Sequence, residues 1–128
     1  MAGVTYDTGA LIASERNDRR MWALHLGFMA EEVVPVVPAP VVAEAWRGGA
    51  RQASLARLLA GCNVEPMMAD QARLVGELAG QAGHEDIVDV TVVEGALRRE
   101  DDVVVTSNAS HIQKIVGSTG RSIRVEAV

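Results

Sequence analysis

Residues 86–115 read DIVDVTVVEGALRREDDVVVTSNASHIQKI, and this stretch decides the fold. Asp86 is a favoured helix N-cap. From Ile87 to about Arg99 the apolar positions Val90, Val93 and Leu97 recur at helical spacing. Asp101-Asp102 turn the chain. Val103-Val104-Val105-Thr106 is β-branched and is the most strand-like run in the sequence. After Ser107-Asn108, Ile112 and Ile115 mark another short helix, so the stretch is a helix–strand–helix unit of an alternating α/β chain.

The same alternation extends outward. Val4-Thr5-Tyr6-Asp7 is a β-prone run ending in a carboxylate, followed by a short helix over 10–15. Asn17 or Asp18 caps a helix carrying Met21, Trp22, Leu24, Leu26, Phe28 and Met29. Val33 to Val37 is a continuous apolar run, the pattern of a buried parallel strand. Pro40 suits the first turn of a helix over Val41 to Arg47. Ser54 caps the next helix, Gly61 closes it, and Cys62 to Glu65 forms a third strand. Asp70 caps a helix to about Ala82, Gly83-His84 is a loop, and Gly117 to Gly120 is another before a last strand at Ile123 to Val125. Parallel strands need crossover connections, so this order predicts a three-layer α/β/α fold with a mainly parallel sheet of about five strands.

With 128 residues, 48% apolar and 23% charged, the chain fits one domain, 1–128, with a core of its own. Cys62 is the single cysteine, so no intramolecular disulfide can form and a reducing cytoplasm is the simplest setting. The start, MAGVTYDTGALIA, lacks the basic residues of a secretory signal. The apolar run Val33 to Ala43 is cut by three prolines and is too short to span a bilayer, so no membrane association is expected. The net charge is −5, although eleven of the twelve basic residues are arginines. That balance excludes a simple basic nucleic-acid binder.

Ligands of open α/β sheets bind beyond the carboxyl ends of the strands. Asp7 ends the first strand, Glu44 lies in the first turns after the second, Asp86 and Asp89 open the helix before the fourth, and Asn108 lies just past the fourth. Glu44 and Asp89 sit among apolar neighbours, where a purely solvated charge is not expected. Such carboxylates repel one another unless a hard divalent cation, Mg²⁺ or Mn²⁺, joins them. The ion also lets an acidic pocket accept a phosphodiester. The bland alternatives are a turn role for Asp7, a cap role for Asp86, and helix-dipole stabilisation by Asp89. Glu31-Glu32 and Glu100-Asp101-Asp102 read as solvated loop ends. His84 and His111 fall in expected loops without ligand spacing, Cys62 reads as inert core, and Trp22 and Trp46 read as packing residues. Arg16, Arg19, Arg20, Arg47 and Arg51 are candidates to hold phosphates. A receiver-like domain phosphorylated on Asp7 is a weaker alternative, because the only lysine, Lys114, follows a helix start rather than a strand.

Three segments, VTYDTGALIA (4–13), VVPAPVVAEAWRGGARQASLARLL (36–59) and HEDIVDVTVVEGALRREDDVVVTSNASHIQKI (84–115), together resemble PIN-domain ribonucleases, and among them the VapC toxins of type II toxin–antitoxin modules. The resemblance implies a Mg²⁺- or Mn²⁺-dependent endoribonuclease, a cognate antitoxin that covers its site, an RNA substrate and a homodimer. It places the catalytic acids on Asp7, Glu44 and Asp89, with Asp86 as accompanying metal ligand. The position of the family's fourth acid is Asn108 here, and His111 stands where a further aspartate is common. Thr106, Ser107 and Asn108 are then the water- or substrate-positioning segment. The alternative is a catalytically weakened module that binds RNA or the antitoxin. Apolar antitoxin contacts are expected around Ala10–Leu26 and Ser54–Leu59.

Overall fold

A computed structural model describes residues 3–128. The elements follow the expected alternation: β1 (Val4–Tyr6), α1 (Thr8–Glu15), α2 (Arg19–Ala30), β2 (Val36–Pro38), α3 (Ala39–Ala45), a 3₁₀ turn (Ala50–Gln52), α4 (Ala53–Ala60), β3 (Asn63–Glu65), α5 (Ala69–Ala82), α6 (Ile87–Arg98), β4 (Val103–Thr106), α7 (Ala109–Ser118) and β5 (Arg124–Ala127). The five strands form one sheet in the order β3-β2-β1-β4-β5, with every pair parallel. The expected α/β/α architecture and strand number are those observed.

The chain moves outward from β1 to β3, then returns across the sheet to β4 and continues to β5. The strand order therefore reverses between β1 and β4, the point at which an open parallel sheet leaves a crevice beyond its carboxyl ends. Right-handed crossovers put the helices after β1 and β2 on one face and those after β3 and β4 on the other. Accordingly α1 packs on α2 and α4, while α6 packs on α5 and α7.

Helix α6 runs against its own propensity, since valine loses side-chain freedom in a helix. Every residue from Asp89 to Leu97 is buried, however, among α5, α7, α3 and the central strands. Tertiary burial and the Asp86 cap, whose carboxylate accepts from the backbone N–H groups of Val88 and Asp89, override the propensity.

Several local expectations change. The strand expected at Val33 begins only at Val36. Glu32 takes a left-handed φ of 59° and Val33 N–H bonds back to Phe28 O, so Val33 is the apolar residue that closes α2. Val34 points outward, and Pro35 offers no N–H for a ladder. Ser54 caps nothing: α4 begins at Ala53, and Ser54 Oγ donates to Asn17 Oδ1. Asp70 lies inside the first turn of α5, paired with Arg73, rather than at its cap. Gly117 belongs to α7 and β5 ends at Ala127, later than the expected strand. Trp46 is exposed rather than packed, whereas Trp22 donates to Ser14 O and carries the Arg57 guanidinium over its ring.

Asp101 is not a solvated loop end. It accepts from Thr5 Oγ1 and pairs with Arg99 at 3.2 Å. Arg99 also meets Glu65 Oε2 at 2.9 Å, and Arg98 meets Glu65 Oε1 at 2.6 Å. Burial pushes the Glu65 carboxyl up, but the two guanidinium groups outweigh it and hold it below its ordinary 4.5. A carboxyl with a depressed folded pKa adds stability above its unfolded pKa and loses it as pH falls below. Arg99→Met is therefore expected to cost about 2 kcal/mol at pH 7, less than a fully buried pair. Urea melts should show that difference shrinking as pH drops below about 4.5, whereas a pH-independent difference would mean that the charge pairing contributes nothing.

Candidate metal and catalytic site

Asp7 follows β1 at the point where the strand order reverses. Its backbone N–H continues the ladder to Val105 O, and its carboxylate caps α1: Thr8 N–H donates to Oδ1 at 2.7 Å. The hydroxyl of Thr106, the last residue of β4, donates to Oδ2 at 2.7 Å. The neighbouring strand thus fixes the carboxylate, which is only 3% exposed. Burial pushes the Asp7 carboxyl above its ordinary value. The bonds from Thr106 and Thr8 oppose that push, and repulsion from Asp89 and Glu44 adds to it.

Asp89, in the first turn of α6, is buried as well. Burial and the nearby Asp86 raise its carboxyl, while His84 and His111 pull it down. Glu44, on α3, accepts from the Thr8 hydroxyl at 2.6 Å. It is exposed, contrary to the expectation from its apolar neighbours, because α3 buries only Val41 and Ala45. Asp86 is exposed and spends its carboxylate on the α6 cap. Of the sequence-predicted carboxylates, Asp89 and Glu44 thus both bear on Asp7, while Asp86 bears on Asp89 and spends its own oxygen on the α6 cap.

Beyond β4, Asn108 N–H returns to Thr106 Oγ1, and the Asn108 amide nitrogen faces His111 Nδ1 at 2.7 Å. Ser107 lies against Gly9 and lines, with Arg16, a groove of about 280 Å³. Among the described residues no arginine or lysine forms an ion pair with Asp7, Glu44, Asp86 or Asp89. Of the candidate arginines, Arg20 is engaged by Glu126 and Ala127 O, and Arg47 donates to the carbonyls of Ala43 and Trp46. Lys114 is exposed on α7 and does not meet Asp7, so the receiver-like arrangement is absent.

Two histidines, set aside on sequence for want of ligand spacing, lie beside Asp89. His84 Nε2 lies 3.4 Å, and His111 Nδ1 3.7 Å, from Asp89 Oδ2. His111 stands on α7 rather than in a loop. Thr8 was missed as well, although its hydroxyl links α1 to Glu44. His84 stands five residues before Asp89, and the packing of α6 on α7 brings His111 to the same carboxylate.

The donor chemistry of Asp7, Glu44 and Asp89 fits a hard divalent cation: oxygen ligands, none paired with an arginine or lysine among the described residues, two of them buried. Asp7, Glu44 and Asp89 do not make a trio with ligand atoms within 4.8 Å of one another; among the described residues only His84, Asp89 and His111 do. A wider carboxylate set suits an ion such as Mg²⁺, which keeps several waters and takes one or two carboxylates directly.

No helix among the described residues is long and apolar enough to cross a membrane. No family model matches the sequence. No curated protein matches it either. The structure, however, superposes on a chain of the crystal structure of VapBC2 from Rickettsia felis bound to a DNA fragment from their promoter, with a TM-score of 0.73 at 16% sequence identity over 98% of both chains. The chain therefore has the fold implied by the three quoted segments, and shares it over 98% of its length with a protein of very different sequence.

Proposed function

We propose that the chain is a Mg²⁺- or Mn²⁺-dependent endoribonuclease toxin, in which Asp7, Glu44 and Asp89 hold the ion and Thr106 and Asn108 order the segment that positions water or substrate. The observation that carries this reading is the buried Asp7 carboxylate, raised by that burial first and then by Asp89 and Glu44, and paired with no arginine or lysine among the described residues. When bound, the cation supplies charge for an approaching phosphodiester and acidity for a water. The Thr8 N–H and the Thr106 hydroxyl fix Asp7, the Thr8 hydroxyl fixes Glu44, and the α6 cap fixes Asp89 on the rim. Arg16, beside Ser107 in the adjoining groove, is placed to meet a backbone phosphate.

The cognate partner is an antitoxin. A groove along α2 of about 610 Å³, with Ala23, Leu24, Gly27 and Phe28 as its apolar lining and Arg19, Arg20 and Glu31 as its charged one, overlaps the segment expected to receive it. The chain that shares the fold comes from VapBC2 of Rickettsia felis, solved bound to a DNA fragment from their promoter, and the resemblance to VapC toxins in the three quoted segments points to the same kind of partner. The proposed active form is a homodimer in the cytoplasm.

Incubation of purified protein with RNA and Mn²⁺ is expected to give discrete fragments that EDTA abolishes. Fragments that persist in excess EDTA would rule out the metal mechanism. A binding module with weakened catalysis is the second reading, and Asn108 at an acid position favours it. Asn108→Asp is expected to tighten Mn²⁺ binding by at least about tenfold, since even in bulk water two unit charges about 4 Å apart attract by about 1 kcal/mol and the ion is divalent. Calorimetry giving equal affinities would remove residue 108 from the site.

A further inference from the structure

We propose that His84, Asp89 and His111 form a transition-metal site of two imidazole nitrogens and one carboxylate oxygen, selective for Zn²⁺ over Mg²⁺. It shares Asp89 with the carboxylate set but does not depend on ribonuclease activity.

Three observations meet at Asp89 Oδ2. His84 arrives from the loop after Gly83, whose left-handed φ of 62° ends α5 and turns the chain back toward α6. His111 arrives from the first turn of α7. Their nitrogens stand 3.4 and 3.7 Å from the same oxygen, longer than the usual 2.7–3.2 Å of a made N–H···O bond. Zinc bonds of about 2.0–2.2 Å in a tetrahedron separate neighbouring ligand atoms by about 3.3–3.5 Å. The spacing is poor for hydrogen bonding and close to right for a shared cation. All three ligand atoms lie within 4.8 Å of one another.

The surroundings fit an ion with an open position. The His84 and Asp89 side chains are 11% and 10% exposed, while that of His111 is 54% exposed, so the site has a fixed floor and an accessible side for entry and for a water ligand. The two imidazole rings meet at 74°, edge to face, with centroids 5.5 Å apart, so the rings do not stack across the space between their nitrogens. The Asn108 amide donates to His111 Nδ1, which marks that nitrogen as the one carrying the lone pair; a bound cation takes that lone pair in place of the hydrogen bond, whereas an aspartate there would hold the nitrogen protonated. Imidazole suits zinc and its transition-metal neighbours, while Mg²⁺ prefers oxygen. The histidine at 111 and the asparagine at 108, both departures from the acidic pattern, are thereby explained together.

The test is titration of metal-free protein with Zn²⁺ by calorimetry and with Co²⁺ by visible absorption. One Zn²⁺ per chain is expected, with the intense d–d bands of four-coordinate Co²⁺, and Mg²⁺ in large excess should not displace either. His84→Ala and His111→Ala are each expected to weaken Zn²⁺ binding by at least about tenfold. Asp7→Asn should weaken it far less. Thermal melts identify a variant that fails to fold, for which His84→Gln or His111→Gln is the substitute. The proposal is overturned by absent Zn²⁺ binding, by affinity unchanged in the histidine variants, or by a loss in Asp7→Asn as large as theirs. A failure to cleave RNA would sink the ribonuclease reading and leave this result standing.

Discussion

Asp7→Asn is expected to lower RNA cleavage by at least about 10³-fold, the scale of several kcal/mol of lost charge stabilisation, while raising the melting temperature of the metal-free protein by about 2–4 °C. The two effects have one origin. Asp7 is buried at the end of β1, and its carboxyl is raised above 3.8 by that burial first, and then by Asp89 and Glu44. A carboxyl whose folded pKa exceeds its unfolded value makes the unfolded chain lose its proton first. Stability is then full below about 3.8, falls as pH rises through the folded pKa, and stays reduced at neutral pH. Asparagine removes that charge in a side chain of nearly the same shape. Its oxygen can still accept from Thr8 N–H, and its nitrogen can donate to the Thr106 hydroxyl, which is able to reverse its role. The fold is thus kept, while the anionic ligand that makes the site attractive to a cation is lost. Wild-type protein with Mn²⁺ should gain stability at neutral pH, and Asp7→Asn should gain much less. Cleavage assays and melts of both proteins, with and without Mn²⁺, would decide the matter. A variant that still cuts RNA within tenfold of wild type, or that melts several degrees lower, contradicts this account of Asp7.

Gly9→Ala is expected to destabilise the protein by about 3 kcal/mol, at the upper end of ordinary overpacking. Gly9 lies two residues after Asp7 in the first turn of α1, where the turn between β4 and α7 presses against it. A Cβ at this position would run into the Ser107 hydroxyl and lie 2.6 Å from Ser107 Cβ and 2.7 Å from Ser107 N. Real Cβ atoms do not approach so closely, and two of the obstacles are a Cβ and a backbone nitrogen rather than the tip of a long side chain. Either α1 or the Thr106–Asn108 segment must move, and both hold Asp7: one through the Thr8 N–H, the other through the Thr106 hydroxyl. Activity should therefore fall with stability. Ser107→Gly in the same chain removes the hydroxyl and the Cβ but not the backbone nitrogen, so it should restore only part of the loss. Urea denaturation of the single and double variants measures both quantities. Equal midpoints for wild type and Gly9→Ala would show that the two segments can separate freely.

The carboxylate roles show how far local reading reaches. Asp86 as the α6 cap and Asp18 as the α2 cap are readable from sequence because an Asp side chain and the N–H groups it accepts from are two or three residues apart. The failures at Ser54 and Asp70 arise where a 3₁₀ turn or an extended residue, rather than a side-chain cap, begins the helix. Glu44 looked embedded because its sequence neighbours are apolar, yet a seven-residue helix docks only one stripe, and Glu44 lies off it. Asp101 was the opposite case: it looked solvated within a charged run, but the start of β1 brings Thr5 to it and Arg99 folds over Gly95 to reach it.

The sequence by itself determined the alternation of strands and helices, most of the turn positions, and the placement of Asp7, Glu44 and Asp89 near strand carboxyl ends, because apolar periodicity and caps act over a few residues. Only the tertiary structure decided the order β3-β2-β1-β4-β5, the reversal beside β1 that makes the crevice, and the meeting of His84 and His111 on one oxygen of Asp89. Those features depend on which strands pair and which helices pack, and pairing is chosen by burial summed over the whole core, for which no short stretch of chain carries a signal.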